Sequence, residues 1–288
     1  RELRIEDPNP PATTTSPKWY LIERGIAKKA WIQCSQNENS AWSYESTQPG
    51  SKKTLPKIVT FYSYKGGMGR TTALTAVAFE LLRQHKNVLM IDTDLEAPGL
   101  STFFFPADDA GYIRKGTVDY LQEKSMNPNT PMNMSDYIIP LTSPVYMENG
   151  MGNLYLVSGG KLNDEFLLKL ARIDSPELVG ENLKKNLVQL LKYCCEALKG
   201  SGGIDYILID SRAGFHDMAG VVTAQIPHGI VLFGKDSFQS WFGIQQAVRT
   251  IATSQADKPF AIMVDSACGV NGIVSEEEKE HFRQKSYE

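Results

Sequence analysis

The residues best suited to chemistry form one short run, Tyr64-Lys65-Gly66-Gly67-Met68-Gly69-Arg70-Thr71-Thr72. Glycine lets backbone N–H groups turn inward and approach an anion closely. Gly66, Gly67 and Gly69 can therefore wrap a phosphate, with Met68 between them. Lys65 and Arg70 add mobile positive charge, and Thr71 and Thr72 add hydroxyls. Thr71 stands where phosphate loops hold Mg²⁺. A helix beginning at Thr71 would aim its positive dipole end at the same point. Two further segments offer carboxylates: Asp92-Thr93-Asp94, and Asp210 in Asp210-Ser211-Arg212-Ala213-Gly214. A carboxylate just past a buried strand can hold water on Mg²⁺. Gly214 allows a mobile loop to bring its N–H to a terminal phosphate. Arg212 could stabilise developing phosphate charge or form a structural salt bridge, and both readings stay open.

These residues need elements to position them. Ile58–Tyr62, Val88–Ile91, Leu154–Val157, Tyr206–Ile209, Ile230–Phe233 and Phe260–Val264 are short apolar runs that read as buried strands. Leu74, Val77, Ala78, Leu81 and Leu82 fall at helical spacing over 71–85, and Leu183, Leu187, Leu190, Leu191 and Cys194 trace a long helix. A further helix surrounds Trp241 to Ile251. Continuous apolar strands alternating with helices imply a parallel sheet covered on both faces, which binds ligands at the carboxyl ends of its strands. Lys65, Asp92 and Asp210 all lie at such ends. The sequence thus predicts an α/β, three-layer fold with a mostly parallel sheet flanked by helices. Residues 106–152, rich in Pro, Asn and Met, read as an irregular excursion near the site rather than core.

The 288 residues divide into an extension with a Trp-rich segment, 1–56, and a domain, 57–288. Pro8, Pro10, Pro11 and Pro17 make the start an extended arm, whereas Trp19, Trp31 and Trp42 suit a packed segment. The chain opens at Arg1 and stops inside a charged stretch, and so reads as a piece truncated from something longer. Net charge is −3, from 30 Lys+Arg against 33 Asp+Glu, which gives no whole-chain case for nucleic acid or membrane as partner. The 4 cysteines show no disulfide or metal spacing, which fits a cytoplasmic protein. His85, His216, His228 and His281 are dispersed. Ser275 to Tyr287 reads as an acidic, solvated helix without a membrane-targeting face.

Lys65 to Thr72 resembles the deviant Walker A loop of the MinD/ParA-type P-loop ATPases (SIMIBI class), usually KGGxGKTT. Asp92-Thr93-Asp94 is similar to their switch I, and Asp210 to Gly214 to their Walker B and switch II. The resemblance spans about 57–265, and the KGGxGR form with DLEAPGL and DSRAG looks like a variant branch. It implies ATP and Mg²⁺ as cofactors and a nucleotide-dependent homodimer, in which Lys65 reaches the partner subunit's nucleotide. It further implies that Thr71 binds Mg²⁺, Thr72 an inner phosphate, and Asp210 holds the metal through water. Asp94 orients the attacking water and Asp92 supports the metal shell. Another domain or a protein effector completes the implied partners.

The sequence departs from that pattern at two places. Arg70 replaces a lysine, and a planar guanidinium is not equivalent to an ammonium at a phosphate. Val264-Asp265-Ser266 stands where an adenine-reading Asn is usual, so ATP is favoured by resemblance alone. The expected function is Mg-dependent ATP binding and hydrolysis as a dimerisation-linked switch. The alternatives are a nucleotide-binding module with little hydrolysis, a DNA-partitioning type of ATPase, and a kinase or synthetase on the same scaffold.

Overall fold

A computed structural model describes residues 30–31, 56–105, 112–129, 131–143, 148, 150–173, 181–235, 237–253, 259–266, 277, 280, 281 and 284. The strands are β1 (Lys57–Ser63), β2 (Val88–Asp92), β3 (Ile139–Pro140), β4 (Leu154–Val157), β5 (Tyr206–Asp210), β6 (Gly229–Gly234) and β7 (Phe260–Asp265). They form one sheet of order β3-β4-β2-β5-β1-β6-β7, parallel except for the β3 edge. The helices are α1 (Arg70–Arg83), α2 (Thr117–Met126), α3 (Asp164–Ile173), α4 (Glu181–Ala197), α5 (Asp217–Gly220) and α6 (Phe238–Thr253). A π-turn over Val221–Gln225 continues α5.

Strand side chains alternate between the two faces. Ile58, Leu89, Ile91, Ile207 and Ile209 meet α2 and α4 on one face, through Tyr120, Leu121, Leu187 and Leu191. Phe61, Val88, Met90 and Leu208 meet Leu74, Ala78 and Leu82 of α1 on the other. All five residues of β2 and all four of β4 are buried, as expected of parallel strands covered twice. This is the three-layer fold that the alternation of strands and helices predicts.

Two expectations need correction. Val77 does not join the apolar face of α1; it is 41% exposed, and Thr75 takes a buried place. The 106–152 region is not an excursion outside the core. It supplies α2 and β3, and Tyr120 and Tyr137 are among the largest fully buried side chains. Their rings meet edge to face, with centroids 6.1 Å apart. The polar residues around them conceal the signal, because Asp119 and Lys124 of α2 are themselves buried. Asp119 pairs with Lys169 of α3 at 2.8 Å, and Lys124 donates to the Pro128 carbonyl at 3.1 Å. The acidic helix expected over 275–287 lies almost wholly outside the described residues, as do Cys34 and Cys268. Among the described residues, no helix is long and apolar enough to cross a membrane.

Candidate phosphate-binding site

β1, β2 and β5 are adjacent, and their carboxyl ends bring the three segments together. Asp92 and Asp210 stand directly opposite in the β2–β5 register, and Asp210 opposes Phe61 of β1. The loop after β1 turns on Gly67 at φ 72° and Gly69 at φ 76°, left-handed values that disfavour any residue with a side chain. A Cβ placed on Gly66, Gly67 or Gly69 would meet nothing within 4 Å, so the concave side of the loop is open. Lys65 and Thr72 are exposed at its rim. Met68 has a different task from its neighbours. Its side chain is buried in the α1 face of the core, and its carbonyl accepts from the Ser266 hydroxyl at 2.9 Å. Ser63 likewise donates to the Lys65 carbonyl at 2.7 Å.

The first two residues of α1 each reach one strand end. Arg70 Nη2 lies 3.0 Å from Asp94 Oδ2, and both side chains are largely buried. Arg70 Nη1 is buried with no hydrogen-bond partner. Thr71 donates its hydroxyl to Asp210 Oδ2 at 2.6 Å, while Asp210 Oδ1 is buried and unpartnered. A buried unsatisfied carboxylate oxygen beside a second oxygen ligand is unusual in the absence of a ligand to be held. The donor set is hard oxygen, which suits Mg²⁺, and no group of three His, Cys, Asp or Glu surrounds it among the described residues.

Asp92 behaves otherwise. Its Oδ1 accepts the Asp94 N–H at 3.0 Å and its Oδ2 the Leu100 N–H at 3.1 Å, so it shapes the loop that carries Asp94. Burial, then the nearby Asp210 charge, raise its pKa well above the usual carboxylate range. Burial also pushes Asp210 up to about 6, against the opposing effects of Arg70 and the Thr71 hydrogen bond. Two buried carboxylates side by side resist ionising together.

The loop after β5 is tied to both neighbours. Thr93 donates its N–H and its hydroxyl to the Asp210 carbonyl, at 3.0 and 2.7 Å. Arg212 pairs with Glu96. Gly214 takes φ 80°, its N–H meets the Ser63 carbonyl at 3.3 Å, and its carbonyl lies 3.4 Å from the Tyr62 hydroxyl. Sequence reasoning missed Glu96, Thr93 and Ser266. They are ordinary polar residues in loops, whose importance comes from what folding places opposite them.

No family model matches the sequence, and no curated protein matches it. Solved structures do match its fold. One is a plasmid partition protein of Borrelia burgdorferi bound to AMPPNP, at 18% identity over 81% of this chain and 82% of that one, TM-score 0.55. Another is the septum site-determining protein MinD of Pyrococcus horikoshii complexed with Mg-ADP, at 19% over 78% and 77%, TM-score 0.50. A third is the cobyrinic acid a,c-diamide synthase of Mycobacterium smegmatis with an ATP analogue and magnesium, at 16% over 73% and 75%, TM-score 0.51. The chain thus has the P-loop NTPase fold of MinD and the plasmid partition proteins. The structure of pNOB8 ParA bound to nonspecific DNA is a more distant likeness, at 19% identity over 66% of this chain and 57% of that one, TM-score 0.44.

Proposed function

We propose that this chain binds a Mg-nucleoside triphosphate, ATP in first place, and hydrolyses it as a dimerisation-linked switch. One observation carries the reading: Arg70 and Thr71, adjacent at the start of α1, contact Asp94 and Asp210 respectively. Phosphate grip, water placement and metal handling thereby share one helix turn. In this reading the amides of Gly66–Gly69 and the α1 N-terminus hold the phosphates, with Thr72 on an inner one. Arg70 Nη1, buried and unpartnered, is the donor left over for them. Thr71 and Asp210 would hold Mg²⁺, whose positive charge would be available to the developing phosphate charge. Asp92 supports this shell from behind by fixing the Asp94 amide. Asp94 places the attacking water in line, and Lys65, free to extend from the rim, reaches the partner subunit's nucleotide. Gly214 offers its N–H to the terminal phosphate.

Single-turnover hydrolysis of Mg-ATP over a range of protein concentrations tests this, with Asp94→Ala and Lys65→Ala as controls. The expected outcome is turnover that rises with concentration and drops about a hundredfold in either variant. Turnover that ignores Asp94 at every concentration would reject it. The Arg70–Asp94 ion pair favours a second reading, a nucleotide-binding module with little hydrolysis. A carboxylate held by a buried guanidinium is poorly disposed to accept from water, and equally slow turnover in wild type and Asp94→Ala, with tight binding in both, would establish that reading.

A further inference from the structure

Ala30 and Trp31 come from the N-terminal extension, yet they are buried against the segment that follows Gly214. Three hydrogen bonds tie them there. Asp217 Oδ1 accepts the Ala30 N–H at 2.6 Å, Gln225 Nε2 donates to the Ala30 carbonyl at 2.7 Å, and the Trp31 indole N–H donates to the His216 carbonyl at 2.9 Å. The indole meets Phe215 edge to face at 5.0 Å and Tyr62 at 5.6 Å. Gly220 makes the seat possible, since a Cβ there would lie 2.9 Å from Trp31 Cδ1 and 3.0 Å from Ala30 Cβ.

Phe215 also meets the ring of Tyr64, at 5.2 Å, one residue before Lys65. Phe215 therefore touches both Trp31 and the residue that opens the phosphate loop. The N–H of Gly214 is directed to the Ser63 carbonyl. To reach a terminal phosphate it must leave that carbonyl, and a backbone turn at Gly214 displaces Phe215 and His216 directly. Both touch Trp31. Behind them lies the π-turn of Val221–Gln225, an irregular helical geometry common at functional sites.

We propose that Ala30-Trp31 is the coupling contact through which the phosphate site and the N-terminal extension sense one another: nucleotide moves the 214–217 segment, and that segment shifts or releases Trp31. The coupling is reciprocal, so whatever grips or removes the extension alters nucleotide affinity. This rests on the nucleotide reading above and adds a regulated element to it.

The test uses the 288-residue chain labelled with 5-fluorotryptophan and observed by ¹⁹F NMR, the Trp31 line being assigned with Trp31→Phe. Binding of Mg-AMPPNP is measured separately by calorimetry. The expected result is a Trp31 line that moves on saturation, and an affinity changed about fivefold or more in Trp31→Ala. Gly220→Ala, which expels the indole while leaving it in the chain, is expected to match that change and to shift the Trp31 line without nucleotide. This second variant serves if Trp31→Ala does not fold. Saturable binding with an unmoved Trp31 line, and affinities within about twofold in the folded variants, would overturn the coupling and leave the nucleotide reading intact. Absence of binding in the wild type would overturn both.

Discussion

The carboxyl ends of β2 and β5 present the same residue at the same register position, and they differ in what surrounds it. Asp92 and Asp210 are paired across the two strands and both are buried. Asp92 accepts a backbone N–H on each oxygen, and its work is structural. Asp210 accepts one hydroxyl and leaves one oxygen unmet. The difference arises in the following residues. After β2 the chain bends back so that Asp94 and Leu100 offer amides to Asp92. After β5 it runs on toward β1, with Ser211 N–H on the Phe61 carbonyl, and among the described residues the Asp210 carboxylate accepts a hydroxyl rather than amides. A strand-end aspartate thus becomes a loop staple or keeps an oxygen unmet according to whether its own loop returns to it.

The comparison can be broken at four places. Asp92→Ala should have the largest effect. It leaves the buried Leu100 amide and the partly buried Asp94 amide without acceptors and should cost about 3 kcal/mol of stability, read from urea unfolding. A loss as small as that of a surface substitution would remove the structural role. Asp210→Asn should act in the opposite direction without nucleotide. An aspartate whose folded pKa, about 6, exceeds its ordinary 3.8 stabilises the fold fully below the lower value and loses that contribution as pH rises through the higher one. Near neutral pH the variant should therefore be about 1–2 kcal/mol more stable than wild type, with the gain absent below about pH 4. The same variant should lose the thermal stabilisation that Mg-AMPPNP confers. Retention of that stabilisation would place the metal elsewhere.

Arg70→Lys sharpens the β2 side. An ammonium holds Asp94 less firmly than a planar guanidinium, so single-turnover hydrolysis should rise about threefold to tenfold while binding persists. A fall in rate would assign Arg70 to transition-state charge rather than to restraint of Asp94. The smallest effect is expected at the opposite ends of the strands. His228 Nδ1 accepts the Ile58 N–H at 3.0 Å, which requires that nitrogen unprotonated. Burial, then Lys57, lower its pKa below the ordinary 6.5. The unfolded chain therefore takes up the proton first as pH falls, and stability is lost below that value. His228→Asn, whose Oδ1 can accept the same N–H, should lose less stability than wild type between about pH 7.5 and about pH 5.5, measured as urea midpoints.

Much of this was legible in the residues. Strand, glycines, cations and hydroxyls in one run read as a phosphate loop because each type has one strong use in that order. Apolar runs ending in Asp92 and Asp210 specify which strands carry the site. Hidden from that reading were contacts between distant ordinary residues: Ser266 on Met68, Glu96 on Arg212, Trp31 on His216. α2 was hidden too, because its buried Asp119 and Lys124 make a core helix look polar until their partners are known.

By itself, the order of residues determined six of the seven strands, their covered faces and the loop between β1 and α1, since apolar runs and glycine turns are local properties of the chain. Only the folded arrangement decided that Asp92 staples while Asp210 waits with an oxygen unmet, that Arg70 holds Asp94, and that Trp31 rests on the segment after Gly214. Those outcomes depend on which groups meet across tens or hundreds of residues, and hydrogen-bond satisfaction in a buried space is a property of the neighbours rather than of the residue.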